Sequence, residues 1–275
     1  MIDRLLDPLV RRLLRPPRRA PRALPADLAD RAEDVTIGTP HPMKGWFLCA
    51  DRPRGAVLIV HGWGSDAGRS SGLARSLIEA GLDVLLVDLP GHGRTGPVVS
   101  YDVVRMLEDI EASRRWLAAR DGRAGRAQGL VGISFGGVGA YAAASRDRSW
   151  AALALVAAPM GPLEATALYL EARRVPKAFR GAMLGTVGRV LSAAGQDFRG
   201  PECLAKVEAP VLIVHGTEDR VVPIGHAHAL ASAPQAGERE VHWVPGGGHE
   251  LADDPETGRR ISEFFARTVI SGLAL

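Results

Sequence analysis

The segment GLVGISFGGVGAYAAA, residues 129–144, contains a serine between two glycines in the pattern Gly-x-Ser-x-Gly. A short apolar run, residues 129–131, precedes it and an alanine-rich run, residues 138–144, follows, which predicts strand, sharp turn and helix with Ser134 at the apex. A serine at such a turn takes a strained backbone conformation that exposes its hydroxyl. Glycine is needed on either side because strand and helix pass too close for side chains. With 32 glycines in the chain, a plain glycine-rich turn is the competing interpretation.

The composition is that of an ordinary globular protein. A chain of 275 residues suffices for one large α/β domain or two small ones. Hydrophobic residues make up 46% and charged residues 24%, which excludes a disordered or fibrous chain. Cys49 and Cys203 form no disulfide framework and have no metal-ligand spacing. We expect both to be buried apolar side chains in a reducing compartment.

The positive charge is concentrated at the start of the chain. The formal net charge is +3 and the sequence pI is about 9.2. Residues 1–22 hold seven arginines against two aspartates, so the rest of the chain is slightly acidic. The high pI therefore belongs to this basic arm, and we expect no nucleic-acid partner.

The first residues have the pattern of a basic amphipathic helix. Apolar side chains recur at helical spacing at Ile2, Leu5, Leu6, Leu9, Val10, Leu13 and Leu14. We expect the helix of residues 2–15 either to lie on an anionic membrane surface, to dock on a partner or to pack on the chain's own body. Pro16 and Pro17 end it, and residues 16–31 are predicted to be a linker.

The predicted location is cytoplasmic, with the basic helix as a possible membrane contact. No uninterrupted apolar segment follows the arginines, so the start of the chain does not match a secretory signal peptide. No stretch approaches the length of a transmembrane helix. We divide the chain into residues 1–31, which comprise helix and linker, and a main domain of residues 32–275.

From residue 32 onward, strand and helix patterns alternate. Strands are predicted at 35–38, 46–50, 56–60, 84–87, 130–133, 151–157, 211–214 and 240–244, the first two antiparallel. Helices between buried aliphatic strands predict an α/β fold, with a mostly parallel central sheet covered by helices on both faces. Residues 158–206, after the sixth strand, are far longer than a simple crossover and carry helical patterns. They are predicted to form a helical lid inserted over the strand ends.

The loops after the strands carry candidate functional groups, because ligands of parallel sheets bind at the carboxyl ends of strands. Residues 61–64, HGWG, follow the third strand. The backbone N–H of Trp63, together with that of Phe135, is a candidate donor to a developing oxyanion. The alternative is a plain glycine turn. His61 is interpreted as a brace of this turn.

The last two strands are followed by a candidate acid and a candidate base. Residues 215–219, HGTED, include Asp219, which we choose to orient a histidine, and its neighbour Glu218, which we expect to face solvent. Residues 245–248, PGGG, lead to His249, a candidate general base for Ser134. Lone histidines are more often structural, and we read four in that way: His41, His226, His228 and His242.

The order Ser134, Asp219, His249 is the order of the α/β-hydrolase triad. Over residues 34–270 the chain resembles the α/β-hydrolase fold superfamily, in its serine esterase and lipase-like members. The resemblance rests on five segments, which are 61–64 (HGWG), 88–93 (DLPGHG), 132–136 (GISFG), 215–219 (HGTED) and 248–249 (GH). It implies Ser134 as nucleophile, His249 as base, Asp219 as its partner and an oxyanion hole from Trp63 and Phe135.

The reaction implied by a serine nucleophile is acyl transfer to water. The leading hypothesis is a carboxylesterase that cleaves esters of small to medium acyl chains through an acyl-enzyme. Thioesterase, amidase or peptidase and acyltransferase activities use the same triad, and a non-catalytic binding protein is a further alternative. Haloalkane dehalogenases and epoxide hydrolases use an aspartate where this chain has Ser134. No metal or cofactor motif is present, so none is expected.

Substrate selection is assigned to the lid. Its candidate substrate-binding residues are Met160, Leu163, Phe179 and Met183, although most apolar lid residues are expected to pack the lid itself. The lid also carries several basic residues. They suit either an anionic substrate such as an acyl-CoA or a solvated face.

Overall fold

The computed structural model describes residues 15–38, 42–120, 126–193 and 198–270. Eight strands form one sheet in the order β1-β2-β4-β3-β5-β6-β7-β8. They are β1 (Ala32–Ile37), β2 (Met43–Leu48), β3 (Gly55–Val60), β4 (Leu82–Val87), β5 (Gln128–Ile133), β6 (Trp150–Val156), β7 (Val211–Gly216) and β8 (Arg239–Val244). The eight predicted strands are thus all present.

Strands β3 to β8 run parallel, whereas β2 pairs antiparallel with both β1 and β4. The predicted antiparallel start and mostly parallel sheet are confirmed. Because the parallel strands point the same way, the loops that follow β3, β5, β7 and β8 emerge at one edge of the sheet. The loops with the candidate functional residues therefore share that edge.

Helices cover both faces of the sheet. They are α1 (Ala26–Ala29), α2 (Ser71–Glu79), α3 (Val103–Ala118), α4 (Phe135–Ala144), α5 (Pro162–Ala172), α6 (Lys177–Ala193), α7 (Gly200–Leu204), α8 (Gly225–Ala231) and α9 (Pro255–Phe265). Helices α3, α4, α7 and α8 contribute to the core on one face, and α1, α2 and α9 to the core on the other. This is the three-layer α/β architecture expected from the alternation of patterns.

The central strands are buried on both faces. Every residue of β3, β4 and β7 is buried, which explains their continuous apolar sequences. Asp83 is the exception in β4, and its Oδ1 accepts the backbone N–H of Ala50 at 3.0 Å. This hydrogen bond offsets the desolvation of the carboxylate. Cys203 is buried and Cys49 is half-buried.

Three helices separate β6 from β7. Helices α5 and α6 pack on each other through Leu170 and Met183, which form a small cluster of their own. Helix α7 belongs to the main core. The helical content predicted for residues 158–206 is present over the described part, and the action of this region as a lid stays a prediction.

Residues 15–25, the first that the structure describes, lie against the main domain. Of the predicted helix 2–15, only Arg15 is among the described residues. Residues 15–25 contain no helix or strand, and the predicted linker 16–31 includes the short helix α1. Pro16 is nevertheless buried. Within the described ranges, each helix is too short or too polar to cross a bilayer.

Candidate active site

Ser134 occupies the turn between β5 and α4 with φ 52° and ψ −123°. A positive φ is strained for a residue with a Cβ, and such strain is on the order of 1–3 kcal/mol. The backbone N–H of Ser134 donates to the carbonyl oxygen of Val156 on the neighbouring strand at 2.8 Å, which helps to hold this conformation. The strained turn that the sequence predicts is present.

Gly132 on β5 and Gly136 on α4 allow this helix to approach strands β5 and β3 closely at the serine turn. A Cβ at Gly132 would lie 2.5 Å from the Cβ of Ala140. A Cβ at Gly136 would lie 2.3 Å from the carbonyl oxygen of Val60. Neither position accepts a side chain without movement of the backbone, which is the physical reason for glycine in this motif.

His249 connects Ser134 to Asp219. Its Nε2 lies 3.0 Å from Ser134 Oγ, and its Nδ1 lies 2.8 Å from Asp219 Oδ2. In this arrangement Nδ1–H donates to the carboxylate and Nε2 accepts the serine hydroxyl proton. The three residues that the sequence places after β5, β7 and β8 are thus joined by two hydrogen bonds.

Asp219 is held as a carboxylate. Its side chain is buried, and its Oδ1 accepts the backbone N–H groups of Val221 and Val222, each at 2.8 Å. Burial opposes ionisation, but the hydrogen bonds from His249 and from these two N–H groups outweigh it, so the pKa of Asp219 lies below its usual value. An ionised Asp219 accepts the Nδ1–H of His249 and so fixes the orientation of its ring.

Glu218, the other acidic residue of this loop, is exposed. Its backbone N–H donates to the carbonyl oxygen of Gly247 at 2.9 Å. Of the two neighbouring carboxylates, only Asp219 contacts His249.

The turn after β3 lies directly beside the serine. A Cβ on Gly62 would come within 2.9 Å of Ser134 Cβ and 3.4 Å of its Oγ. No hydrogen bond to another described residue occupies the backbone N–H of Trp63. Phe135 is the first residue of α4, where backbone N–H groups lack a partner within the helix. Both candidate oxyanion donors therefore flank Ser134.

His61 braces this turn. Its Nδ1–H donates to the carbonyl oxygen of Gly62 at 2.8 Å, and its Nε2 accepts the backbone N–H of Leu89 at 3.1 Å. Complete burial lowers the pKa of His61 to about 4, against the smaller opposite effect of the bond to Gly62. A neutral His61 at this place agrees with the structural role predicted for it.

His215 lies on the far side of Asp219. Its Nε2–H donates to the carbonyl oxygen of Val222 at 2.8 Å and is 3.5 Å from Asp219 Oδ2. Burial is the main cause that lowers the pKa of His215. His215 therefore supports the loop as a neutral side chain, and His249 is the histidine that reaches Ser134.

Among the other histidines, His226 accepts the backbone N–H of Met160 at 3.3 Å, and the His228 ring packs 4.6 Å from that of Trp243. These contacts fit the structural roles predicted for both. His242 is half-buried on β8. His41 lies outside the described residues.

The four candidate substrate-binding residues occupy different environments. Met160 is half-buried against the core, while Met183 is buried between α5 and α6. Leu163 and Phe179 are 37% and 56% exposed. Met183 packs the lid itself, because the face of α6 that bears it is turned toward α5.

Tyr169 is an aromatic lid residue that the sequence reasoning did not select. Its ring lies 6.1 Å from that of Trp63, which is in turn 5.5 Å from Phe135. Arg173 donates to the Tyr169 hydroxyl at 2.9 Å and fixes the ring from the solvent side. No sequence pattern marks Tyr169, because its partner lies in a distant loop. Tyr169 is where α5 reaches the turn beside the serine.

Comparison with known proteins gives one family match. A family model described as serine aminopeptidase, S33, matches residues 51–199 and 199–256. These two segments include the turn after β3, the serine turn and the loops that carry Asp219 and His249. Residues 15–50 lie before the matched region.

Individual proteins are similar at lower identity. A monoacylglycerol lipase of Mycolicibacterium smegmatis is 28% identical over 239 residues, which cover 74% of this chain and 84% of the lipase. An esterase structure from Pyrococcus furiosus matches with a TM-score of 0.71 at 19% identity, over 93% of this chain and 98% of the esterase. Est1E of Butyrivibrio proteoclasticus, solved with ferulic acid bound, matches with a TM-score of 0.68 at 19% identity, over 86% and 99%. The structural matches establish the fold.

Proposed function

The chain belongs to the serine aminopeptidase S33 family of α/β-hydrolases, and we propose that it is a serine hydrolase that cleaves carboxylic esters of small to medium acyl chains. The observation that carries the proposal is the position of His249, 3.0 Å from Ser134 Oγ and 2.8 Å from Asp219 Oδ2. This geometry fits a nucleophile, a general base and an orienting carboxylate in the roles of a catalytic triad.

In the proposed first step, Ser134 Oγ attacks the ester carbonyl while His249 Nε2 takes its proton. Asp219 stabilises the imidazolium that forms, and its own low pKa keeps it ionised throughout. The developing oxyanion accepts hydrogen bonds from the backbone N–H groups of Trp63 and Phe135. Each aligned donor contributes on the order of 3 kcal/mol to transition-state stabilisation.

The tetrahedral intermediate then collapses: the bond to the alcohol oxygen breaks, His249 gives its proton to the leaving alcohol, and the acyl group stays on Ser134. Water then enters and attacks the acyl carbonyl while His249 takes a proton from it, and His249 returns that proton to Ser134 Oγ as the free acid leaves. The substrates are thus an acyl ester and water, and the chemistry asks for no cofactor.

The choice of an ester is supported by the similarity to the monoacylglycerol lipase. The aromatic side chains of Trp63, Phe135 and Tyr169 provide apolar surface next to the nucleophile, which suits an acyl chain. Of the sequence candidates, we retain the half-buried Met160 and the exposed Leu163 and Phe179. Met183 is proposed to act indirectly, by packing α6.

Peptide or amide hydrolysis is the second candidate, because the family model is described as that of a serine aminopeptidase. The two activities share every step up to the leaving group. They differ in the leaving group: an amine leaves less readily than an alcohol, so its departure depends more on proton donation from His249.

A fluorophosphonate probe tests the proposed nucleophile. We expect one adduct, on Ser134, and no adduct on the Ser134→Ala variant. Absence of an adduct on the parent protein, or equal labelling of the variant, would refute the serine hydrolase.

A substrate panel then tests the reaction. It compares p-nitrophenyl esters of rising chain length with acyl-CoA thioesters and aminoacyl amides at equal concentration. We expect esters of short and medium chains to have the highest kcat/KM. Turnover of amides or thioesters with all esters near background would replace the esterase by the corresponding alternative.

A further inference from the structure

Residues 15–22, here called the N-terminal strap, cross the loops that follow β3 and β4. The strap is fixed at both ends. At one end Arg15 Nε donates to the carbonyl oxygen of Val98 at 3.2 Å. At the other end the Arg22 guanidinium donates to Asp253 Oδ2 at 2.6 Å, and the Arg22 backbone N–H lies 3.3 Å from Asp66 Oδ1.

Two prolines of the strap press on glycines of the loops beneath them. Pro17 lies so close to Gly64 that a Cβ on this glycine would be 2.9 Å from Pro17 Cγ. Pro16 is buried against Gly91, where the corresponding distance is 3.0 Å. Both glycines have positive φ angles, 70° and 82°. The loops therefore combine a glycine-only conformation with a proline ring in the space that a side chain would fill.

The strap also contacts the short helical turn Ala67–Ser70. A Cβ on Gly68 would lie 2.1 Å from the carbonyl oxygen of Arg22, so the two backbones touch directly. Asp66, which precedes this turn, is buried and accepts the Arg22 N–H. The strap thus contacts this segment at Gly64, Asp66 and Gly68.

The contact between Pro17 and Gly64 bears on the proposed oxyanion hole because of the position of Gly64. Gly64 follows Trp63, the proposed oxyanion donor, and Gly62 on the other side abuts Ser134. The turn is closed by a hydrogen bond from Ser65 N–H to the Gly62 carbonyl oxygen at 3.1 Å. The turn therefore has the nucleophile on one side and the Pro17 ring on the other.

We propose that the N-terminal strap is a positioning element for the oxyanion turn, with Pro17 as its main contact. The proposal rests on the proposed function, because it assigns a role to the N–H of Trp63. The strap fixes the orientation of this N–H by blocking outward movement of Gly64. A proline suits the task because its ring is rigid and has little conformational freedom to lose.

The strap lies outside the region that the family model matches, as do β1 and β2. The family match begins at residue 51, after the strap, and the sequence of residues 16–31 has the composition of a linker. This chain therefore supports its oxyanion turn with a segment that the family model does not include. A donor displaced by a fraction of an ångström loses part of its effect on the transition state.

The test compares Pro17→Gly with Pro21→Gly. Pro21 lies in the same strap and is exposed, so both variants lose one proline but only the first loses the contact with Gly64. The measurements are kcat and KM on the best ester, the rate of fluorophosphonate labelling of Ser134, the number of sites labelled at completion and Tm.

For Pro17→Gly we expect kcat per labelled site and the labelling rate to fall about tenfold, with KM changed by less than about twofold. Pro21→Gly should match the parent within about twofold in both rates. A role in stability alone would lower Tm or the number of sites but not the rate per site. Equal rates per site in the two variants would overturn the proposal.

Gly64→Ala provides a second measurement that does not depend on the stability of one variant. The added Cβ meets Pro17 Cγ, so its effect on kcat should be smaller in the Pro17→Gly background than in the parent. Additive effects would contradict the contact.

If the parent neither labels nor hydrolyses esters, the proposed function fails and the strap proposal with it. If the parent is active and the proline variants are equal, only the strap proposal fails.

Discussion

Two loops of this protein begin at the same dipeptide, His-Gly, but present different functional groups to the candidate active site. Residues 61–62 directly follow β3, and residues 215–216 are the last two residues of β7; both pairs are His-Gly. In each, the histidine is buried, neutral and bonded to a backbone carbonyl oxygen of its own loop. The shared part is therefore a brace that fixes a turn at the end of a parallel strand.

The glycines of the two loops approach different partners. Gly62 abuts Ser134, whereas a Cβ on Gly216 would lie 2.2 Å from the carbonyl oxygen of Gly247 in the loop that carries His249. One loop thus presents a backbone N–H beside the nucleophile, and the other holds a carboxylate beside the base. The histidine brace therefore sets the position of each loop, and the residues that follow it set the function of that loop.

The largest effect is expected at the residue that the second loop holds in place. His249→Ala removes the base, and Ser134→Ala removes the nucleophile that it activates. Each should lower kcat for ester hydrolysis by roughly five to six orders of magnitude, and the double variant should lose little more. Steady-state rates, corrected for background hydrolysis, measure this. A residual rate within a hundredfold of the parent, taken as a rough limit, would contradict the triad.

The next effect distinguishes the two acidic residues of the second loop. Asp219→Asn should lower kcat by up to about 10⁴-fold, because the amide no longer fixes the His249 tautomer or stabilises its charge. Glu218→Ala, at the exposed neighbour, is the matched control and should stay near the parent. A collapse of activity in the control would show that the carboxylate was assigned wrongly.

Substitution of Gly62 or Gly216 by alanine adds a methyl group and tests the two close backbone contacts directly. In Gly216→Ala the Cβ meets only backbone atoms, so we expect the His249 loop to move and kcat to fall about 100-fold. Gly62→Ala meets the Ser134 side chain at a longer distance, 2.9 Å, and should lose about tenfold.

Gly225→Ala serves as control for both glycine variants, because a Cβ there has no atom within 4 Å. Its kcat should equal that of the parent. A decrease of kcat in Gly216→Ala no larger than in Gly225→Ala would contradict the close contact between Gly216 and the His249 loop.

The smallest effect is a pH dependence of stability that comes from the first brace. The pKa of His61 falls from its ordinary value of 6.5 to about 4 on folding, so the unfolded chain binds the proton first. Stability is therefore lost as the pH falls from 6.5 toward 4, and His61 should account for on the order of 2 kcal/mol of that loss at pH 5.

Urea unfolding of the parent and of His61→Asn at pH 7 and pH 5 measures this contribution. The variant loses the brace at both pH values but should show a smaller decrease between them. An equal decrease in both proteins would mean that His61 is not buried as a neutral side chain.

Much of this molecule is readable from local sequence. The aliphatic runs of β3, β4 and β7 predict buried parallel strands, since an all-apolar segment must be covered on both faces. Ser134, Asp219 and His249 were selected because each follows a strand, and parallel strands end at the same edge. Local patterns succeed here because the sheet converts positions along the chain into positions in space.

Other features have no local pattern. No local pattern marks Tyr169 as a site residue, because its relevance to the site depends on its contact with Trp63. The apolar character of Met183 in the lid predicts a pocket residue, whereas in the structure Met183 packs against Leu170 of α5. Residues 16–31 read as a linker because proline and arginine are typical of exposed segments, although Pro16 is buried. In each case a contact between distant segments determines the role.

Local sequence is sufficient to predict the strands along the chain, the glycines at the serine turn and the choice of serine, aspartate and histidine, because each depends on backbone conformation or side-chain chemistry at one place. Only the tertiary structure decided that Gly62 faces Ser134, that Gly216 faces the His249 loop and that Pro17 lies on Gly64. These approaches depend on the packing of segments far apart in sequence, and packing distances of this kind are fixed only when the whole chain is folded.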